Sequence, residues 1–112
     1  MSGWIGVDLD GTLAEYQRWV DGSIGAPIPA MVERVRAWLA EGREVRIFTA
    51  RVSVPEQRDE QLERIALWCL DHIGAILTVT CEKDIHMVEL WDDRCVRVRR
   101  NQGVPCCDAT DL

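Results

Sequence analysis

The stretch WIGVDLDGTL, residues 4–13, decides the fold because it joins an apolar segment directly to an acidic turn. Its first half is a short apolar run, the pattern of a buried β-strand that ends at Asp8 or Leu9. Gly11 follows and allows the chain to change direction. The segment therefore predicts a strand with two carboxylates, those of Asp8 and Asp10, at its carboxyl end.

Two amphipathic helices are predicted from apolar residues that recur at helical spacing. The first begins after Pro27 and Pro29 and stops at Gly42, and the second begins near Pro55 and stops at Gly74. The predicted buried positions are Met31, Val32, Val35, Trp38 and Leu39 in the first helix, and Leu62, Ile65, Ala66, Cys69 and Ile73 in the second.

Further apolar runs predict strands over residues 45–49, 76–80 and 88–91, and an edge strand over residues 95–98. Strands that alternate with helices indicate an α/β fold, with a parallel sheet that carries helices on both faces. All 112 residues are expected to form one domain. Residues 101–112 are expected to be a flexible tail.

Composition narrows the class of protein. A hydrophobic fraction of 47% and a charged fraction of 29% indicate a folded globular chain. The net charge of -6 disfavours non-specific binding to nucleic acid, although Arg94, Arg97, Arg99 and Arg100 form one basic run. No secretory signal and no membrane-spanning run of about 20 apolar residues is recognised. The five cysteines form no C-x-x-C pair, so reduced thiols and a cytoplasmic location are expected.

Reactive side chains follow the predicted strands at the points where those strands end. Because the carboxyl ends of parallel strands meet at one edge of the sheet, we expect these side chains to converge in one crevice. They are Asp8 and Asp10 after the first strand, Thr49 after the second, Lys83 in the loop before the fourth, and Asp92 and Asp93 after the fourth.

Several carboxylates in one crevice repel each other unless a cation neutralises them. Oxygen ligands without histidine or cysteine favour Mg²⁺ over zinc. The Lys83 ammonium can hold a phosphate or a carboxylate, and Thr49 can offer its hydroxyl or its backbone N–H to a phosphoryl oxygen. This combination suits phosphoryl transfer, which needs charge neutralisation, in-line positioning and a proton donor.

Four segments, in this order along the chain, resemble the motifs of the haloacid dehalogenase (HAD) superfamily of phosphohydrolases. They are DLDGTL at residues 8–13, FTAR at 48–51, CEKD at 81–84 and LWDDR at 90–94. The resemblance implies a Rossmann-like three-layer α/β/α sandwich with a mainly parallel sheet. Larger members carry a cap domain, but the short gaps after the first and second motifs imply a small capless type.

The resemblance also implies roles for single residues. Asp8 would be the nucleophile that forms an aspartyl-phosphate, and Asp10 the general acid and then the general base. An acid at position 10 implies phosphatase rather than dehalogenase chemistry. Thr49 would hydrogen-bond the phosphoryl group, and Lys83 would stabilise nucleophile and phosphate. The implied Mg²⁺ ligands are Asp8, Asp10 (through its carbonyl), Asp92 and Asp93, with the direct ligand of the last pair left open, and the substrate contacts are Gly11, Thr12, Thr49, Ala50, Arg51 and Lys83.

The identity of the substrate stays open at this stage. An uncapped crevice suits a phosphorylated macromolecule, such as a protein or a polynucleotide end, while a second subunit in a homo-oligomer or residues 14–26 could instead cover a small molecule. The alternatives to a general phosphomonoesterase are a nucleotide or polynucleotide 3'-phosphatase and a non-catalytic module that binds phosphate and metal. Arg51 either contacts substrate phosphate or forms a surface pair with Glu44 or Asp59.

Overall fold

A computed structural model describes residues 3–16 and 22–106 of the chain. The predicted helices and the first four predicted strands are confirmed, with shifts of a few residues at their ends. In chain order the elements are β1 (Trp4–Val7), α1 (Pro29–Ala40), β2 (Glu44–Phe48), α2 (Arg58–His72), β3 (Thr78–Thr80) and β4 (Met87–Trp91), with 3₁₀ turns at Ala50–Val52 and Pro55–Gln57 between β2 and α2.

The four strands form one parallel sheet in the order β3-β2-β1-β4. β1 lies in the interior of this sheet, where Gly6 pairs with Arg46 on one side and with Leu90 on the other. The α/β class and the parallel Rossmann-like sheet are therefore confirmed. Since all strands run in the same direction, the segments that follow β1, β2 and β4 emerge at the same edge.

The two helices begin and end where local chemistry allows it. Pro29 occupies the first helical position of α1, where its missing N–H costs nothing, and Gly42 follows the helix with a φ of +82°. Asp59 and Glu60 lie in the first turn of α2 and His72 in its last, an order that the helix dipole favours. The residues at the ends of each helix therefore suit its start and its stop.

The main hydrophobic core lies on one face of the sheet. Ile5 and Val7 of β1 and Ile47 of β2 are at most 1% exposed, and they share this core with residues from both helices. The strand positions that alternate with them, Trp4 and Phe48 among them, point to the other face. Both described helices therefore contribute to the same layer, whereas helices on both faces were expected.

Strand order explains this difference. The chain steps from β1 to β2 and from β2 to β3 in the same direction across the sheet, so right-handed connections put α1 and α2 on the same face. The opposite face is covered near Trp4 by other groups. The Phe48 ring lies 6.4 Å from the Trp4 ring, the Arg46 guanidinium 4.5 Å above it, and Asp84 accepts a 2.9 Å hydrogen bond from its indole N–H.

The predicted edge strand at residues 95–98 is wrong. The segment after β4 instead folds back on itself, with Arg99 N–H donating to the Val104 carbonyl and Cys106 N–H to the Arg97 carbonyl, both at 2.8 Å. Residues 101–106 thus belong to a hydrogen-bonded turn, and the rest of the expected tail, residues 107–112, lies outside the described residues. Among the described helices, none is long and apolar enough to cross a membrane.

Candidate active site

A cavity of about 1010 Å³ opens at the carboxyl edge of the sheet. The segments that follow β1, β2 and β4 all line it, as expected from the parallel arrangement. Five residues singled out from the sequence for catalysis or metal binding meet there. These are Asp8, Asp10, Thr49, Asp92 and Asp93.

Asp8, Asp92 and Asp93 form an acidic cluster in this cavity. Each offers a carboxylate oxygen that lies within 4.8 Å of those of the other two. Thr12 connects the two strand ends, because its hydroxyl lies 3.1 Å from Asp93 Oδ1 and accepts a 3.0 Å hydrogen bond from Asp93 N–H. The turn after β1 is thereby tied to the turn after β4.

Gly11 makes the close approach of these two turns feasible. Its φ of +95° lies in the left-handed region that favours glycine. A Cβ at this position would lie 2.5 Å from Asp93 Oδ2, which is shorter than any ordinary contact. Gly11 and Thr12 therefore shape the acidic cluster, whereas the resemblance implied that both contact substrate.

The electrostatics of the cluster are unfavourable when only protein groups are considered. Burial, the hydrogen bond with Asp93 and the charges of Asp92 and Asp93 together raise the pKa of Asp8 from 3.8 to about 7, and the Leu9 backbone opposes the rise only in part. Three carboxylates without histidine or cysteine form a hard donor set of the type that suits Mg²⁺. The cluster could hold such a cation, which would offset the repulsion.

Asp10 has a different environment from Asp8. Its carboxylate accepts two hydrogen bonds from the Arg51 side chain, at 2.7 Å from Nε and 2.8 Å from Nη2. Arg51 is only 7% exposed. The expected surface pair with Glu44 or Asp59 is therefore wrong, because the turn after β2 directs Arg51 inward towards the turn after β1.

Thr49 lies at the end of β2 and is 3% exposed. Its backbone N–H donates to the Thr80 carbonyl at 2.9 Å, which extends the pairing of β2 with β3 and occupies the N–H considered for phosphate binding. Its hydroxyl oxygen accepts a hydrogen bond from Arg51 N–H at 3.2 Å. A hydroxyl that accepts one bond still has its own proton to donate, so the side chain stays available to a phosphoryl oxygen.

The structure does not bring Lys83 to the cavity. Lys83 is exposed and lies in the connection between β3 and β4, outside the residues that line the cavity. This connection has to pass from one edge of the sheet to the other, and the adjacent Asp84 binds Trp4 on the face away from the helices. Lys83 thus has the position in the sequence that the resemblance requires, but the path of the connection between β3 and β4 places it outside the cavity.

Sequence reasoning missed several residues of the cavity and its supports. Val54 and Gln57 line the cavity from the turns before α2, and no motif marks them. Gln61 of α2 is 5% exposed and accepts a 3.1 Å hydrogen bond from Arg51 Nη1. Gln61 lies one helical turn before the predicted buried residue Ile65, and this spacing was the available signal. Ala50 and Arg51, which the resemblance implied as substrate contacts, also line the cavity, and so does Arg94, the last residue of the fourth motif.

Comparison with known proteins supports the fold alone. No protein-family model matches the chain, and no curated protein matches its sequence. Among solved structures, the chain is similar to a conserved protein from Bacteroides thetaiotaomicron, with a TM-score of 0.61 and 24% sequence identity over 86% of this chain and 79% of that one. The fold is α/β and Rossmann-like. Since one fold hosts many activities, function has to be argued from the site.

Proposed function

We propose that this protein is a phosphatase that hydrolyses phosphate monoesters through an aspartyl-phosphate on Asp8, with Mg²⁺ as cofactor. One observation carries the proposal: Asp8 and Asp10 both lie in the segment that follows β1 and line the same cavity, but they have different partners. Asp8 lies in the acidic cluster, and Asp10 is held by Arg51. Two carboxyl groups in unlike environments can take different roles. The resemblance assigns the role of nucleophile to Asp8 and that of proton carrier to Asp10.

The first half of the reaction forms the intermediate. A carboxylate oxygen of Asp8 attacks phosphorus, and the bond between phosphorus and the leaving oxygen breaks with its electron pair on that oxygen. Asp10, in its protonated form, supplies the proton that the leaving oxygen takes up and is left as a carboxylate. The Thr49 hydroxyl donates a hydrogen bond to a phosphoryl oxygen whose charge changes as the transfer proceeds.

The second half regenerates the carboxylate. Asp10 accepts a proton from a water molecule, whose oxygen bonds to phosphorus. The bond between phosphorus and the Asp8 oxygen then breaks, and its electron pair returns to Asp8. Inorganic phosphate leaves, Asp8 is again a carboxylate, and Asp10 again carries the proton that it donates in the next cycle.

Mg²⁺ would be held by Asp8, Asp92 and Asp93, with the Asp10 carbonyl as a further ligand implied by the motif. When bound, the ion would supply positive charge that keeps Asp8 ionised and offsets the charge of the phosphoryl group. Among the described cavity residues, Arg94 is a better candidate than the remote Lys83 for a cationic contact with substrate. A cytoplasmic location is part of this proposal, and it fits the free thiols of Cys69, Cys81 and Cys95.

A nucleotide or polynucleotide 3'-phosphatase is the second candidate. The cavity of about 1010 Å³ is far larger than a phosphate group, and Tyr16 and Phe48 line it. Aromatic side chains beside a phosphate site suit the stacking of bases. Arg94 adds positive charge to the wall of the cavity.

Phosphate release from a substrate panel tests these proposals. The panel contains p-nitrophenyl phosphate, nucleoside monophosphates, sugar phosphates, phosphopeptides and a 3'-phosphorylated oligonucleotide, each with Mg²⁺ and with a chelator. We expect Mg²⁺-dependent release that Asp8→Asn abolishes and that Asp71→Asn, an exposed carboxylate on α2, leaves intact. Release that survives chelation or Asp8→Asn contradicts the mechanism. Tight phosphate binding without release from any substrate supports the non-catalytic module instead.

A further inference from the structure

The Arg51 side chain is saturated with hydrogen-bond acceptors. A guanidinium has five N–H donors. Nε and one N–H of Nη2 bind the two carboxylate oxygens of Asp10, and the other N–H of Nη2 binds the Ser23 carbonyl at 3.0 Å. The two N–H groups of Nη1 bind the Gly22 carbonyl at 2.7 Å and Gln61 Oε1 at 3.1 Å. Arg51 therefore cannot donate to a phosphate without giving up one of these bonds.

The acceptors come from separate parts of the chain. Asp10 lies in the turn after β1, Gly22 and Ser23 lie in the segment before α1, and Gln61 lies on α2. A charged side chain that is buried and bound on every side keeps one orientation, because any rotation leaves polar groups unpaired. The planar guanidinium passes that orientation on to Asp10 through two parallel bonds, a geometry that a lysine cannot reproduce.

From this geometry we infer that Arg51 is a positioning residue for Asp10 and not a ligand of the substrate phosphate. The inference rests on the proposed phosphatase activity, in which Asp10 gives a proton to the leaving oxygen. A proton passes efficiently only when donor and acceptor lie within hydrogen-bond distance, so the fixed orientation of Asp10 determines the rate of that step. Gln61 supports the same orientation from α2.

The role of Arg51 can be separated from phosphate binding through the leaving group. A nitrophenolate leaves readily without a proton, whereas an alkoxide needs one as the phosphorus–oxygen bond breaks. Loss of the position of Asp10 should therefore slow the hydrolysis of alkyl phosphates far more than that of p-nitrophenyl phosphate. Loss of a phosphate ligand should instead slow the hydrolysis of both substrates equally. It should also weaken the inhibition of the enzyme by inorganic phosphate.

The experiment measures kcat and KM of Arg51→Lys and Gln61→Met for p-nitrophenyl phosphate and for an alkyl phosphate. General acid catalysis contributes about 10² to 10⁴ in rate, so we expect Arg51→Lys to lose about 100-fold in kcat on the alkyl ester and less than about 10-fold on the aryl ester. Gln61→Met should show the same selectivity with a smaller loss. Arg64→Lys, whose guanidinium pairs with Glu60 on the surface of α2, is the matched control and should retain the activity on both esters.

A double-mutant comparison completes the test. In an Asp10→Asn background the further change Arg51→Lys should have little additional effect on kcat, since no carboxylic acid remains to be oriented. Equal losses on both esters, with a raised inhibition constant for inorganic phosphate, would overturn the positioning role while leaving the proposed phosphatase activity in place. A folded wild-type protein that releases phosphate from neither ester would overturn the proposed activity and this inference with it. Thermal unfolding of each variant shows that the comparison is made between folded proteins.

Discussion

Replacing Asp8 by asparagine should stabilise the protein in the absence of divalent cations while it removes activity. The side chain keeps its size but loses the charge that Asp92 and Asp93 repel. The sign follows from the raised pKa of Asp8, because the folded state retains a proton that the unfolded state has already released. Stability of the wild type therefore falls as pH rises from about 4 to about 7, and Asp8→Asn escapes this loss.

The size of the effect follows from the same pKa. A rise from 3.8 to about 7 corresponds to an upper limit of about 4 kcal/mol, at about 1.4 kcal/mol for each tenfold change in proton affinity. Asp8 is partly exposed, and solvent screening reduces this value, so we expect a gain of about 2 kcal/mol above pH 7. For a domain of this size, that gain raises the melting temperature by roughly 6 to 12 °C.

Thermal unfolding followed by circular dichroism at pH 5 and pH 8, with chelator, measures this gain. The advantage of Asp8→Asn should be full at pH 8 and smaller at pH 5. Added Mg²⁺ should raise the melting temperature of the wild type more than that of the variant, because the ion relieves the same repulsion. Asp71→Asn on the surface of α2 is the control and should change stability by less than about 0.5 kcal/mol. Equal melting temperatures of wild type and Asp8→Asn at pH 8 would refute the electrostatic reasoning.

Three further predictions concern the cavity and the core. Gly11→Ala should cost about 1–3 kcal/mol in urea unfolding, because the left-handed backbone is strained for alanine and the new Cβ collides with Asp93; an unchanged midpoint would contradict this. Tyr16→Ala should raise the KM for a nucleoside monophosphate several-fold and leave that for a small alkyl phosphate unchanged, and steady-state kinetics on both substrates show whether Tyr16 contacts the leaving group. Ile65→Ala should cost about 2–5 kcal/mol in chemical unfolding, because Ile65 is fully buried between α2 and the sheet; a loss below 1 kcal/mol would show a loosely packed core.

Local patterns in the sequence were sufficient for most elements of the fold. The apolar run before Asp8, the helical spacing around Val35 and Ile65 and the glycines after each helix all act through neighbouring residues, so they can be interpreted without tertiary information. The wrong prediction of an edge strand at residues 95–98 has a physical reason as well. Alternating valine and arginine suits a strand, but the segment folds back on residues 104–106 instead of pairing with β4.

The sequence could predict only those residues of the candidate site that directly follow a strand. Parallel strands bring Asp8, Thr49 and Asp93 to one edge whatever their side-chain contacts are, so the convergence follows from the pattern. The position of Lys83 does not follow from it, because a six-residue connection can reach β4 along several paths. The spacing of a motif does not distinguish among them.

The sequence by itself determined the α/β class, the order of the elements and the acidic residues of the cavity, since each of these depends on short-range periodicity or on the geometry common to all parallel sheets. The tertiary structure alone decided that both helices cover one face, that Lys83 lies away from the cavity and that Arg51 binds Asp10. These features depend on strand order and on contacts between residues about 40 positions apart in the chain, where long-range packing rather than local preference selects among chain paths.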